Sequence, residues 1–183
     1  MLPPGHIAAG FLVAKAVIMV AHPAISAEQQ NSLLFWGAFF GFLPDIDMFY
    51  AFFKVKGFTF KNDAVNHREF ISHAPLVWFV ASCVLFVFAP TLYIKYIAII
   101  MWFGTWSHFI LDSYETGVRW LYPFNKKLYA LKSFSDISEL FTNVGFWKFW
   151  WNFVRYYAAK MSLLFYTEIF IIIIAVVVYR FGG

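Results

Sequence analysis

The chain is predicted to be all-α, a polytopic membrane helical bundle of about five transmembrane helices with one interfacial amphipathic helix. Three observations predict it. The 183 residues are 62% hydrophobic and 13% charged, whereas soluble domains run at about 45–50% and about 25%. Apolar runs of span length recur along the sequence, separated by proline and polar turn residues. Aromatic residues reach 23%, which suits a lipid-facing body with amphipathic rings at the headgroups. No repeat, low-complexity tract or polar linker divides residues 1–183, so a single integral-membrane domain is expected.

A helical span needs about 20 residues, or as few as about 17. The first run, about 6–21, places Gly10 one turn beyond His6 on the same face, where a glycine permits close helix packing. It is not read as a cleaved signal, because Met1 to Gly5 carries no basic side chain and cleavage near Ala24 to Ala27 would discard His6. His22-Pro23 marks the following turn.

The second run, about 32–53, carries Leu43-Pro44-Asp45-Ile46-Asp47. On a continuous helix the two aspartates diverge by about 200°, so both serve one site only where the helix breaks or ends. The third run, about 74–90, begins after His73 and ends at Pro90. It holds Cys83, the single cysteine, which excludes an intramolecular disulfide and is expected to be buried and inert. The fourth, about 95–115, carries His108 and Asp112 four apart and therefore on one face.

The fifth run is about 162–181. Before it, Asp136 with Glu139 resembles a helix start, and the aromatic stretch Phe146 to Tyr157 puts Lys148, Asn152 and Arg155 on one narrow face. That pattern describes a helix lying in the headgroup plane, or equally a surface helix packed on the bundle. Lys15 and Glu168 each lie about 9–12 Å into the bilayer by helical rise, so they are expected to pair across the first and fifth spans.

Four of the five histidines, His6, His67, His73 and His108, fall beside carboxylates once the spans are threaded through the membrane. Alternating the spans brings His6, Asp45 with Asp47, His67-Arg68 with His73, and His108 with Asp112 to the same side of the membrane. Ionisable groups gathered at one end of a membrane bundle mark a functional site. His67 and His73 are six apart, on different helical faces, so a turn is expected between them. Arg68 can take a phosphate bidentately, or pair with Asp63 or Glu69 at the surface.

Mixed imidazole and carboxylate donors suit zinc, manganese or iron better than magnesium. His6, Asp45, Asp47, His67, His73, His108 and Asp112 exceed one tetrahedral set, so two ions bridged by an aspartate are possible. Such a site activates water for hydrolysis, and Asp47 is the candidate to accept its proton. Taken singly, each pair equally fits a histidine–carboxylate hydrogen bond or a solvated helix end; their convergence is what favours a site. By this threading 11 of the 14 Lys and Arg residues fall on the site side; Lys95 and Arg180 fall on the other and Lys15 lies inside a span. The positive-inside bias then places the site at the cytoplasmic face.

Gly5-His6-x-x-x-Gly10, Leu43-Pro44-Asp45-Ile46-Asp47, His67-Arg68 with Ser72-His73, and Ser107-His108-x-x-x-Asp112 followed by Thr116-Gly117-Val118 and Tyr122-Pro123-Phe124 occur in that order. Over about residues 4–125 this ordered set resembles the YdjM-like family of bacterial inner-membrane proteins, described as LexA-regulated, metal-dependent hydrolases. The family is in turn distantly similar to zinc-dependent phospholipase C and the P1-type nucleases, helical enzymes that cleave phosphoesters with a zinc cluster. The resemblance implies that His6, Asp45, His67, His73, His108 and Asp112 are metal ligands, that one to three ions bind, and that zinc is the expected metal.

The expected function is a metal-dependent hydrolase acting on a phosphoester in a membrane lipid or lipid-linked substrate, with Asp47 and Arg68 in catalytic roles and no nucleic-acid partner. The alternative is a non-catalytic metal-binding or ion-transport-associated protein with the same ligands. A transporter needs polar groups continuing to the opposite face, and past Lys15 and Glu168 the spans offer few. The blandest alternative is a structural bundle whose His and Asp side chains only pair with each other.

Overall fold

The computed structural model describes residues 1–47, 70–114, 117–131, 146–160 and 162–182. Six α-helices occur there: α1 (Pro3–Ala21), α2 (Ala27–Phe42), α3 (Pro75–Phe88), α4 (Leu92–Asp112), α5 (Phe146–Lys160) and α6 (Ser162–Phe181). Two 3₁₀ turns, Leu43–Ile46 and Ile71–His73, follow α2 and precede α3. Two pairs of helices are joined by short turns, and sequence chemistry accounts for each break.

Pro3 and Pro4 open α1 where a fixed φ fits and a missing N–H costs nothing. The helix closes on His22, which takes a left-handed φ of 41° and returns its N–H to the Ile18 carbonyl at 3.0 Å. Ser26 and Gln29 then form a reciprocal capping box that starts α2. The second helix therefore begins at Ala27 rather than near residue 32 and stops at Phe42 rather than near 53. Pro44 ends it, because an interior proline has no N–H to donate and clashes with the preceding turn. Thr91 caps α4 by accepting from the Ile94 N–H at 3.3 Å.

Among the described residues three helical stretches are long and apolar enough to cross a membrane: α1, α4 and Leu163–Phe181 of α6. The 14-residue α3 is a shorter apolar helix, and α2 has 16 residues, just under the usual minimum of about 17. α1, α2 and α4 pack on one another, α3 lies on α4, and α6 lies on α1. Ala14, Leu33, Phe40, Ile100 and Met101 form the core between the first three.

Glycine makes that core possible. A Cβ on Gly10 would come 2.1 Å from the Gly37 carbonyl oxygen, and one on Gly41 would come 2.3 Å from the His6 carbonyl oxygen. The close packing expected of Gly10 is therefore present, with Gly37 and Gly41 as its partners.

Two expectations are corrected. Cys83 is exposed, not buried: α3 packs on α4 and leaves much of its own surface uncovered, this residue included. Lys15 and Glu168 do not pair: Lys15 donates to the Gly182 carbonyl, and Glu168 accepts from Leu2 and Gly5. Glu168 is level with the first turn of α1, and Lys15 is ten residues beyond Gly5, about 15 Å along the helix.

The aromatic helix forms as expected, with Trp147, Lys148, Trp151 and Arg155 exposed and Tyr157 buried against α6. The expected helix start at Asp136 and Glu139, and Asp63, His67, Arg68 and Glu69, lie outside the described residues.

Candidate metal centre

Chain breaks and helix ends converge on one buried cluster of side chains. His6 comes from the first turn of α1, Asp45 from the 3₁₀ turn after α2, His73 from the turn before α3, and His108 and Asp112 from the last turns of α4. All five are buried; His6, His73 and His108 have no exposed surface. One donor atom from each of Asp45, His73, His108 and Asp112 lies within 4.8 Å of the others, close enough to hold a metal ion.

The two central histidines are oriented from outside the cluster. His108 Nδ1 donates to the Gly41 carbonyl at 2.9 Å, and His73 Nδ1 donates to Asp47 Oδ2 at 3.0 Å. Acceptors on Nδ1 fix the tautomer and leave Nε2 to face inward, the arrangement of metal-ligating histidines. Nε2 of His73 and of His108 both approach Asp45 Oδ1, at 3.4 and 3.6 Å. His108 Nε2 also lies 3.8 Å from Asp112 Oδ2, the four-residue spacing read from the sequence.

His6 joins from the other side of Asp112. Its ring stacks on His108 with centroids 3.8 Å apart, and its Nε2 lies 3.3 Å from Asp112 Oδ1. The Met1 amine lies 3.2 Å from the same oxygen. Both ring nitrogens of His6 and Nε2 of His108 are buried with no hydrogen-bond partner among the described residues. Buried imidazole nitrogens left this way are costly, and a cation among carboxylates would remove the cost. The donor set fits a borderline divalent metal: two imidazoles and two carboxylates lie within reach of one ion, and the His6 imidazole stands beside Asp112.

Asp47 has a narrower part than a freely poised carboxylate. Its Oδ2 accepts from His73 and from the Ser72 hydroxyl, while Oδ1 is buried and makes no hydrogen bond among the described residues. Trp78 Nε1 donates to the Ser72 carbonyl at 2.7 Å and so fixes the same turn. Burial by itself would push the His73 imidazole down; the Asp45 and Asp47 carboxylates on either side of the ring outweigh it and raise it from 6.5 to about 9.

Beyond α4 the chain folds back over this end. Gly117, at a φ of 84° that favours glycine, returns its N–H to the Asp112 carbonyl at 3.1 Å. Val118 and Tyr129 form an antiparallel bridge, and Trp120 Nε1 donates to Ser113 Oγ at 2.7 Å. This places the Gly117-Val118 motif directly after the ligand-bearing turn.

The structure thus brings together His6, Asp45, Asp47, His73, His108 and Asp112, six of the eight residues singled out from sequence, while His67 and Arg68 lie outside the described residues. Ser72 and the Gly41 carbonyl were missed. Ser72 had a signal, since it precedes His73 in a motif already noticed; a backbone carbonyl has none. No curated protein and no solved structure matches the chain. The sequence model of the YdjM inner membrane protein family matches residues 1–182, nearly the whole length and well past the motifs near the N-terminal two thirds, and the chain belongs to that family.

Proposed function

We propose that the protein is a membrane-bound, metal-dependent hydrolase whose His/Asp centre opens at the cytoplasmic headgroup level and cleaves a phosphoester in a lipid or lipid-linked substrate. One observation carries the reading: His73 and His108 each spend Nδ1 on an outer acceptor and turn Nε2 toward the same Asp45 oxygen. A pair of histidines that only stabilised the bundle would not need both rings held this way.

Asp45, His73, His108 and Asp112 would hold the ion, with His6 beside Asp112 for a second. Zinc is the expected metal, with manganese or iron as the other ions these donors accept. Bound there, a divalent metal supplies Lewis-acid polarisation of a phosphoryl oxygen and makes water a better nucleophile near neutral pH. Asp47 keeps His73 in register, and its Oδ1 is the atom through which it would accept a proton. Arg68 is assigned to the phosphate for its bidentate guanidinium.

Exposed Lys126, Lys127, Lys148 and Arg155 supply positive charge for anionic headgroups, and the exposed Trp147 and Trp151 suit the interface. Among the described residues the buried polar side chains deeper in the bundle are Ser82 and Thr105, and Thr105 is bonded to its own helix. That favours an enzyme over a transporter, which would need a polar path to the far face.

Metal content of detergent-purified protein, by inductively coupled plasma mass spectrometry, is the test. Near-stoichiometric zinc, manganese or iron that falls in folded His108→Ala and Asp112→Ala variants is expected, followed by hydrolysis of phospholipid vesicles or bis(p-nitrophenyl) phosphate with that metal. A folded protein that takes up no metal sinks the reading. Metal without hydrolysis of either substrate class leaves the non-catalytic binding role.

A further inference from the structure

The outward helix α6 carries one carboxylate that the centre does not use. Glu168 is buried although Ile169, Phe170, Ile173 and Val176 around it are exposed on the lipid-facing side. A carboxylate in such a helix is costly unless satisfied, and here it accepts three hydrogen bonds. Oε2 accepts from the Leu2 N–H at 3.2 Å and from the Tyr157 hydroxyl at 2.5 Å; Oε1 accepts from the Gly5 N–H at 3.2 Å.

Those donors explain the arrangement. A helix start has four N–H groups without intrahelical acceptors, and in α1 Pro3 and Pro4 contribute none. The N–H groups on either side of the prolines, from Leu2 and Gly5, both reach Glu168, the Gly5 N–H being shared with the Leu2 carbonyl at 3.1 Å. The negative charge also sits at the positive end of the α1 dipole. Gly5 leaves room for it, since a Cβ there would come 2.7 Å from Glu168 Cγ. Tyr157 and Leu164 pack against Leu2 and Tyr114, so the α5–α6 corner is seated on the same turn.

We infer that Glu168 is a positioning residue of the centre: it clamps the first turn of α1 from α6 and thereby sets His6 against Asp112 and His108. The next residue after the clamped Gly5 is His6, whose ring makes no hydrogen bond of its own among the described residues. Its position is therefore set by its backbone, by the stack on His108 and by the Asp112 carboxylate 3.3 Å from its Nε2. Tyr157 extends the clamp to α5, which ties the amphipathic helix to the metal-binding end of α1. The inference rests on the metal reading only where metal affinity is the readout.

The test uses the full-length protein in detergent, with hydrogen exchange of the peptide covering residues 2–11 and zinc affinity measured in parallel. Glu168→Gln keeps the shape but cannot accept all three bonds, Gly5→Ala drives the carboxylate away, and Tyr157→Phe removes one donor. Expected are exchange in that peptide faster by about tenfold and zinc binding weaker by about tenfold in Glu168→Gln and Gly5→Ala, with a smaller change in Tyr157→Phe. Glu168→Gln added to His6→Ala should weaken zinc binding no further than His6→Ala does alone. Unchanged exchange of the peptide, a uniform rise across all helices, or fully additive losses would overturn the clamp. Should the wild-type protein bind no zinc, the metal reading fails and the exchange data still decide the clamp. If Glu168→Gln does not fold, Tyr157→Phe carries the same comparison.

Discussion

At the scale of single residues, the centre is defined by what each imidazole does with its outer nitrogen. His73 shows this most sharply, because Asp47 holds Nδ1 and Asp45 faces Nε2, and together they raise it to about 9. Below that pH the metal-free ring keeps its proton on both nitrogens, whereas a ligating ring must give one up. Metal uptake therefore releases a proton, and apparent affinity climbs as pH rises, by about tenfold per unit from about pH 6 toward 9. Titrating zinc against a chelator across this range should show that slope. Asp47→Asn should move the plateau to lower pH and weaken binding at pH 8 by about 10–100-fold; identical profiles in both proteins would exclude Asp47 as the group that orients His73. His73 and Asp45 were legible as separate sequence motifs, but the Gly41 carbonyl under His108 was not, since an acceptor that every residue carries leaves no mark in a sequence.

Among the elements, the close approach of α1, α2 and α4 decides whether the ligands meet at all. Gly41 serves both ends of this relation: its missing side chain admits the His6 backbone, and its carbonyl orients His108. Gly10 has less room still, so Gly10→Ala must push α1 away from α2. Overpacking of this kind costs about 1–3 kcal/mol, and contact with backbone on both sides puts Gly10→Ala at the upper end. Gly104→Ala is the milder comparison, because its nearest neighbour is the Phe40 side chain at 3.1 Å. Thermal unfolding in detergent should rank Gly10→Ala well below Gly104→Ala, and zinc affinity should fall with the former; equal midpoints would show that α1 and α2 are not held at this distance in the membrane. The start of α2 was readable, since Ser26-Ala27-Glu28-Gln29 has the spacing of a capping box, but its polar first turn does not look like a membrane span. The expected end near 53 overshot the actual one at Phe42. Pro44 outweighs the apolar residues that follow, and the two aspartates reach one cluster because the helix stops before them.

Across the whole molecule, parity did most of the predicting. Spans that alternate direction place the starts of the first and third at the same side as the ends of the second and fourth, so a pattern of four short motifs could be folded into one cluster without coordinates. Depth along each span was harder: α1 begins at Pro3, three residues before the expected start, and Glu168 is level with Gly5 rather than with Lys15. Which side the cluster faces depends on the charge bias, and it has a direct test. Cys83 is the lone cysteine, so Cys83→Ser gives a cysteine-free background for single additions. Lys127→Cys is exposed in the segment that folds back beside the centre, and Ser26→Cys lies in the α1–α2 turn at the opposite end. In spheroplasts a membrane-impermeant maleimide should label Ser26→Cys directly and Lys127→Cys only after permeabilisation, because the side richer in Lys and Arg stays in the cytoplasm. The reverse pattern would turn the centre outward, and any lipid substrate would then have to come from the outer leaflet.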